Sequence, residues 1–278
     1  MRLTLPVATL DHVVVNVRDR MDAASALYRR LGFTLTPRGH HTLGSINHLA
    51  MFGTDYLELI GAPADDRRTD LLGWPEGLNG LVWGTEDAEA LHATLAEAGV
   101  AALPPGQFSR PVELPDGRIA DAEFRTLRLP NETTPAGRLY FCQHFTRDLV
   151  WRDAWRRHAN GTLGVEAAVI AAVDPDRLGG LFAQMFGADA VSAIAGGRRL
   201  LLGLSRFDVV HPDQLARLYG DAAPPAGGRD EFMAALVLRT ASLDRAAAAL
   251  QVDGVTRDAA GITVSASATM GVALRFVD

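Results

Sequence analysis

The chain has 278 residues, 48% hydrophobic and 22% charged, which fits a globular protein of about two domains and excludes a disordered majority. All 27 basic residues are arginine, so Schiff-base lysines, P-loop lysines and Ser-Lys dyads are excluded. One cysteine, Cys142, excludes structural disulfides, iron–sulfur clusters and Cys-based zinc sites, and a net charge of −6 with pI near 5.7 argues against nucleic acid. No apolar run reaches the ~18 residues of a membrane span, and Met1–Pro6 carries no signal-peptide core, so a soluble, cytoplasmic protein is expected.

Taken in chain order, one layout recurs four times: an apolar strand, an acidic turn, an Ala/Leu-rich helix and a glycine. The strands begin LDHVVVNV at Leu10, LNGLVWGT at Leu78, VEAAVIAAV at Val165 and FMAALVLRT at Phe232. The closing glycines, Gly32, Gly99, Gly187 and Gly254, follow each strand start by 21 or 22 residues. The helices carry apolar residues at i, i+3 and i+4, as in Ala24, Leu27, Tyr28 and Leu31, so one face packs on a sheet. Acidic residues at the helix starts (Asp22, Glu86, Asp87, Asp174, Asp176, Asp244) suit free N–H groups and the dipole. Further strands follow each helix: GFTLTPR, SINHLAMF and DYLELIG in the first copy, GRLYFCQH in the second, RRLLLGLS in the third, GITVSASA and MGVALRFV in the fourth.

A strand–helix–strands unit of ~50–65 residues is too small to bury a good core alone, so units pair. First with second and third with fourth gives an α+β protein of two similar domains, 1–147 and 160–278. The join, FTRDLVWRDAWRRHANG, holds two tryptophans among charges and reads as a packed connector. LPPGQFSRPVELPDGR and GDAAPPAGGR read as long surface loops.

The stretches LDHVVVNV (10–17), YRRLGFTLTPRG (28–39), NHLAMFGTDYLELIG (47–61) and FCQHFTRDLVWRDAWRRHANG (141–161) resemble the vicinal oxygen chelate superfamily, and within it the glyoxalase-like domain proteins. That superfamily includes glyoxalase I, extradiol dioxygenases and the bleomycin- and fosfomycin-resistance proteins. The resemblance implies paired βαβββ modules, each pair curling a mixed sheet around a cleft. In metal-dependent members a divalent ion there chelates two neighbouring substrate oxygens.

The resemblance places metal ligands at the third residue of the first strand and in the last strand of each module. In the first module these are His12 and Glu58, a pair suited to Zn, Fe, Ni or Mn. Tyr56, Glu58 and Ile60 share one strand face, where a carboxylate is costly to bury unless paired or metal-bound. In the second module the counterpart of His12 is Gly80, or Asn79 when counted back from the glycine. The strand end offers Gln143, a weak donor, with His144 pointing to the opposite face. The corresponding positions of the last two units are Ala167 and Ala234, so the second domain holds no metal by this scheme.

His48 is the candidate to complete the first site as ligand, general base or substrate contact, with Asn47 ranked below it on the other face. His40 and His41 read as solvated loop histidines, His92 as a helix-surface residue and Cys142 as an inert core thiol. Asp65 and Asp66 lie in a charged loop with Arg67 and Arg68 and read as a solvated charge run.

The expected function is a small-molecule cleft in the first domain lined by His12, His48, Glu58 and Gln143. In the metal-dependent reading, a weakly held ion at His12, Glu58 and Gln143 acts as a Lewis acid while Glu58 or His48 shuttles a proton. Lyase, isomerase and dioxygenase outcomes all fit that scheme. The alternative is a metal-free binding or sequestering protein of the bleomycin-resistance type, and a third reading is a scaffold for a protein partner. The expected partner is a small molecule, not nucleic acid or a membrane, with a homodimer left open.

Overall fold

The computed structural model describes residues 9–64, 68–114 and 116–278. The Met1–Pro6 stretch and Asp65, Asp66 and Arg67 of the charged loop lie outside the described residues. In chain order the first half runs β1 (Leu10–Arg18), α1 (Met21–Arg30), β2 (Gly39–His40), β3 (Ile46–Met51), β4 (Tyr56–Gly61), α2 (Thr69–Leu72), β5 (Gly77–Gly84), α3 (Ala88–Glu97), β6 (Gly106–Glu113), β7 (Ile119–Arg128) and β8 (Arg138–His144). The second half runs β9 (Thr162–Ala172), α4 (Pro175–Phe186), β10 (Val191–Ile194), β11 (Gly197–Leu202), β12 (Ser205–Val210), α5 (Pro212–Tyr219), β13 (Glu231–Thr240), α6 (Leu243–Ala249), β14 (Val255–Asp258), β15 (Gly261–Val264) and β16 (Ala273–Val277).

These strands make two eight-stranded mixed sheets of one topology, β2-β3-β4-β1-β5-β8-β7-β6 and β10-β11-β12-β9-β13-β16-β15-β14. Within each unit the first and last strands run parallel, as in β1 with β4 and β5 with β8. Units then join through antiparallel first strands, β1 with β5 and β9 with β13. The fold is α+β, built from the four repeats in the pairing their layout implies.

Local chemistry explains most boundaries. Asp87 accepts from the N–H groups of Glu89 and Ala90 at the start of α3, and Asp174 does the same for Asp176 and Arg177 at α4. At α6 the cap is Ser242 rather than Asp244, and α1 has no side-chain cap. The four closing glycines all have positive φ, the left-handed turn that lets the chain leave a helix for a strand. Two segments differ from expectation. Residues 33–38, read as a strand, are irregular, although the Thr36 N–H donates to the Leu49 carbonyl. The Pro/Gly-rich segment at 103–118, read as a loop, contains β6, an edge strand that tolerates Pro111 because one side of its backbone needs no partner.

Each sheet is apolar on both faces, and the two faces do different things. On the convex side, Val13, Val15, Leu57, Leu59 and Trp83 join Phe182, Phe207, Leu236 and Phe276 in one cluster spanning both sheets. Trp83 lies 5.0 Å from Phe186 and 5.6 Å from Phe207, ring centre to ring centre. The concave sides hold separate clusters, Val14, Leu49, Met51, Val82 and Phe124 in the first sheet and Val169, Val210 and Phe232 in the second. The join is packed: His158 donates to the Met51 carbonyl (2.7 Å) and Asn160 to the Leu31 carbonyl (2.9 Å). Asp55, in the β3–β4 turn, accepts from the Val165 N–H of β9 at 2.9 Å and so ties one half to the other. Among the described residues, no helix is long and apolar enough to cross a membrane.

Because the convex core is shared, Trp83→Ala should cost about 3–5 kcal/mol. Denaturant melts followed by fluorescence and by circular dichroism should still coincide, since neither half retains a complete core alone. Burial pushes the Asp55 carboxyl up to about 6, with the Val165 N–H opposing. Its folded pKa exceeds its unfolded one, so its contribution to stability falls as pH rises from about 4 to 6. Asp55→Asn should therefore raise stability at pH 7 and flatten that part of the profile, read as the difference from wild type in denaturant midpoints.

Candidate functional site

The concave face of the first sheet holds a partly open cavity. His12 (β1), Tyr56 and Glu58 (β4), and Tyr140 and Cys142 (β8) are among the residues that line it. Strand alternation puts them there, since every second residue of these strands faces the same side. Leu43 and Arg68 lie at the rim, in the segments flanking β3 and β4.

Asp11 breaks the alternation. The register of β1 against β5 shifts between Leu10 and His12, and at such a bulge a side chain is re-aimed. The buried Asp11 carboxylate accepts from His12 Nδ1 at 2.6 Å and from His144 Nε2 at 3.1 Å. Burial works to raise its pKa, but the charge and hydrogen bonds of His144 and His12 outweigh this and hold it well below the usual carboxylate range. An ionised carboxylate only accepts, so Nδ1 of His12 and Nε2 of His144 each carry a proton. His12 Nε2 then faces the Tyr140 hydroxyl at 3.3 Å and Glu58 Oε2 at 3.7 Å, with the ring stacked on Tyr56 at 4.4 Å. Burial, reinforced by Glu58, pushes the Tyr140 phenol up, so it stays protonated beside His12. Burial likewise raises the Cys142 thiol far above its ordinary value, and the thiol, read from the sequence as a core group, lies at the cavity wall.

The structure brings His12 and Glu58 together but moves the other two expected site residues away. His48 pairs across the strands with Leu59, not Glu58, and so lies on the convex side. Its Nδ1 donates to the Thr36 carbonyl at 2.8 Å and its Nε2 accepts from Arg38 at 3.4 Å. Leu49 pairs with Glu58, and Asn47, ranked below His48 in the sequence, is the residue that donates to Glu58 Oε1 at 2.6 Å. Gln143 also faces away: its amide donates to the Glu86 carbonyl at 2.6 Å and accepts from the Ala88 N–H, anchoring the start of α3. His144, one residue on, is the strand-end side chain that reaches the cluster. His41 lines the cavity rather than a solvated loop, and burial lowers its pKa to about 4, helped by Arg110 and Arg68 against Glu58.

Register locates, from one repeat to the next, the counterparts of the positions where the resemblance implies metal ligands. Val14 pairs with Glu58 and its repeat counterpart Val82 pairs with Tyr140, so Tyr140 stands where the second carboxylate would be. Gly80 stands where the second histidine would be, and a Cβ there would lie 2.9 Å from Val14 Cβ. The donor set at the position the resemblance implies is therefore His12, Glu58 and a protonated phenol, short of the three or more strong ligands such ions need. A second group, Asp11, Cys142 and His144, has ligand atoms within 4.8 Å of one another. There an ion would have to displace the thiol proton and the hydrogen bond between His144 and Asp11. The His12–Glu58 pair alone is short of a full donor set, and this buried group is the other place where an ion could be held.

Sequence reasoning missed Asp11, Tyr140 and four cavity arginines, Arg68, Arg110, Arg128 and Arg138. The alternation of Phe108, Arg110 and Val112 was the available signal for Arg110, masked by Pro111 and the flanking glycines.

Two curled sheets of repeated βαβββ units, with a histidine–carboxylate pair in one concave face, define the class. The chain belongs to the glyoxalase-like domain family, whose profile matches residues 10–186. Solved structures with the same fold include a hypothetical protein from Staphylococcus aureus (TM-score 0.68, 14% identity, covering 97% of this chain and 99% of that one). A mutant of 4-hydroxymandelate synthase from Streptomyces coelicolor also matches (TM-score 0.57, 12% identity, 99% and 94% covered). So does a xylose isomerase-like TIM barrel/4-hydroxyphenylpyruvate dioxygenase fusion protein (TM-score 0.51, 14% identity, 90% and 41% covered). No curated protein matches in sequence.

Asp11→Ala should cost about 3–5 kcal/mol in denaturant melts, because it leaves two buried imidazole N–H groups without an acceptor. A loss under ~1 kcal/mol would mean that water replaces the carboxylate.

Proposed function

We propose that the first sheet's cavity binds a small molecule without a divalent ion, as in a sequestering protein of the glyoxalase-like type. The observation that carries this reading is the pair Gly80 and Tyr140, which stand in register where a second histidine and carboxylate would complete a metal site. His12, Glu58, Asn47 and Tyr140 then act as direct contacts. The phenol donates, Glu58 accepts, and His12 is fixed in one tautomer by Asp11.

A metal-dependent lyase, isomerase or dioxygenase is the second reading. It is favoured by the carboxylate behind His12, the arrangement that commonly orients a metal-bound imidazole, and by the names of the dioxygenase-related neighbours. Calorimetric titration of Zn, Ni, Mn and Fe(II) into chelator-treated protein separates the two. The expected result is no uptake tighter than about 10 µM. Tight stoichiometric uptake, lost in the His12→Ala, Glu58→Gln double variant, would make the metal-dependent enzyme the better reading.

A further inference from the structure

Four arginines line the cavity, and Glu58 is the carboxylate among the described residues that lines it with them. Glu58 is already engaged by Asn47 and lies 3.7 Å from His12. Arg110 is the least exposed of the four. It projects from β6 between Phe108 and Val112, is only 5% exposed, and its Nη2 is buried with no hydrogen-bond partner among the described residues. Glu58 is close enough to attract Arg110 but makes no hydrogen bond with it. Arg128 lies over the Tyr140 ring at 5.6 Å and makes no ion pair among the described residues. Arg138 is oriented by a bond from Nε to Asn79 Oδ1 at 2.9 Å, and Arg68 adds positive charge at the rim.

A guanidinium does not shed its proton at neutral pH, and a buried charge with an open donor is costly unless an anion meets it. Its planar fork matches the two oxygens of a carboxylate. The surfaces beside Arg110 are aromatic: Phe108 and Phe124 stack at 5.2 Å, and the His41 ring meets Phe108 edge-on at 5.4 Å. Ring faces of this kind take a planar apolar body.

We propose that the cavity is a site for a small aromatic carboxylate, with its carboxylate on Arg110 and its ring against Phe108 and Phe124. The inference rests on reading this cavity as a small-molecule site and supplies the ligand's charge and shape. Arg110 is then a binding residue, and the other arginines raise the local potential that draws the anion in.

The test is calorimetric titration of benzoate, with benzyl alcohol as the neutral probe of similar size, into chelator-treated wild type and the Arg110→Gln and Arg110→Lys variants. Benzoate is expected to bind with a Kd below about 10 mM and at least about tenfold more tightly than benzyl alcohol. Arg110→Gln should weaken benzoate at least tenfold and leave benzyl alcohol unchanged, while Arg110→Lys keeps part of the affinity. The ligand-free Arg110→Gln protein should melt at the same temperature as wild type or higher, because a buried uncompensated cation is gone. This confirms folding before the binding result is read. Failure of benzoate to bind wild type, or equal binding of the two probes, overturns the anion assignment and leaves the metal-free reading standing. Benzoate binding that appears only after a divalent ion is added overturns the metal-free reading and leaves the anion assignment standing.

Discussion

Everything in this molecule depends on the two-sidedness of a β-strand. Successive residues of β1 face opposite ways, so Val13 and Val15 build the core shared by both sheets while His12 and Val14 face the concave cavity. Helices α1, α3, α4 and α6 sit on the convex side, and the apolar side chains there hold the halves together through contacts such as Trp83 with Phe207. The cavity wall is thus supported from behind by packing that takes no part in binding, which lets the concave side carry charge and open polar atoms.

The buried polar cluster shows how the fold permits what the interior disfavours. Asp11, His12, His144, Tyr140, Glu58 and Asn47 are linked so that most of their buried donors and acceptors are met within the group. Asp11 reaches its place only because a bulge turns its side chain inward. Arg110 is less completely met, and the four arginines outnumber the one carboxylate among the described residues that line the cavity.

The architecture was legible in the sequence because it is periodic and repeated. Four strand–helix–glycine layouts of nearly one length give four units, and a positive-φ glycine closes each. His12 and Glu58 were legible because parity along one strand is enough to place them on a face. His48 and Gln143 were misplaced because their sides depend on cross-strand register, a long-range property that single-strand pattern does not carry. Pro111 hid β6, and with it Arg110, since proline reads as a loop signal unless the strand is known to lie at an edge. Asp11 was illegible because a bulge breaks the very alternation by which strand faces are assigned.

The packing around Gly80 also bears on how this sheet could change over generations. A histidine placed at 80 meets Val14, whose Cβ lies 2.9 Å from where its own Cβ would sit. Relieving that contact takes glycine at 14, because alanine keeps the Cβ, and this opens a hole in a well-filled layer before anything is gained. A second strong donor here therefore needs paired substitutions, each harmful alone, and stepwise mutation must cross a fitness valley.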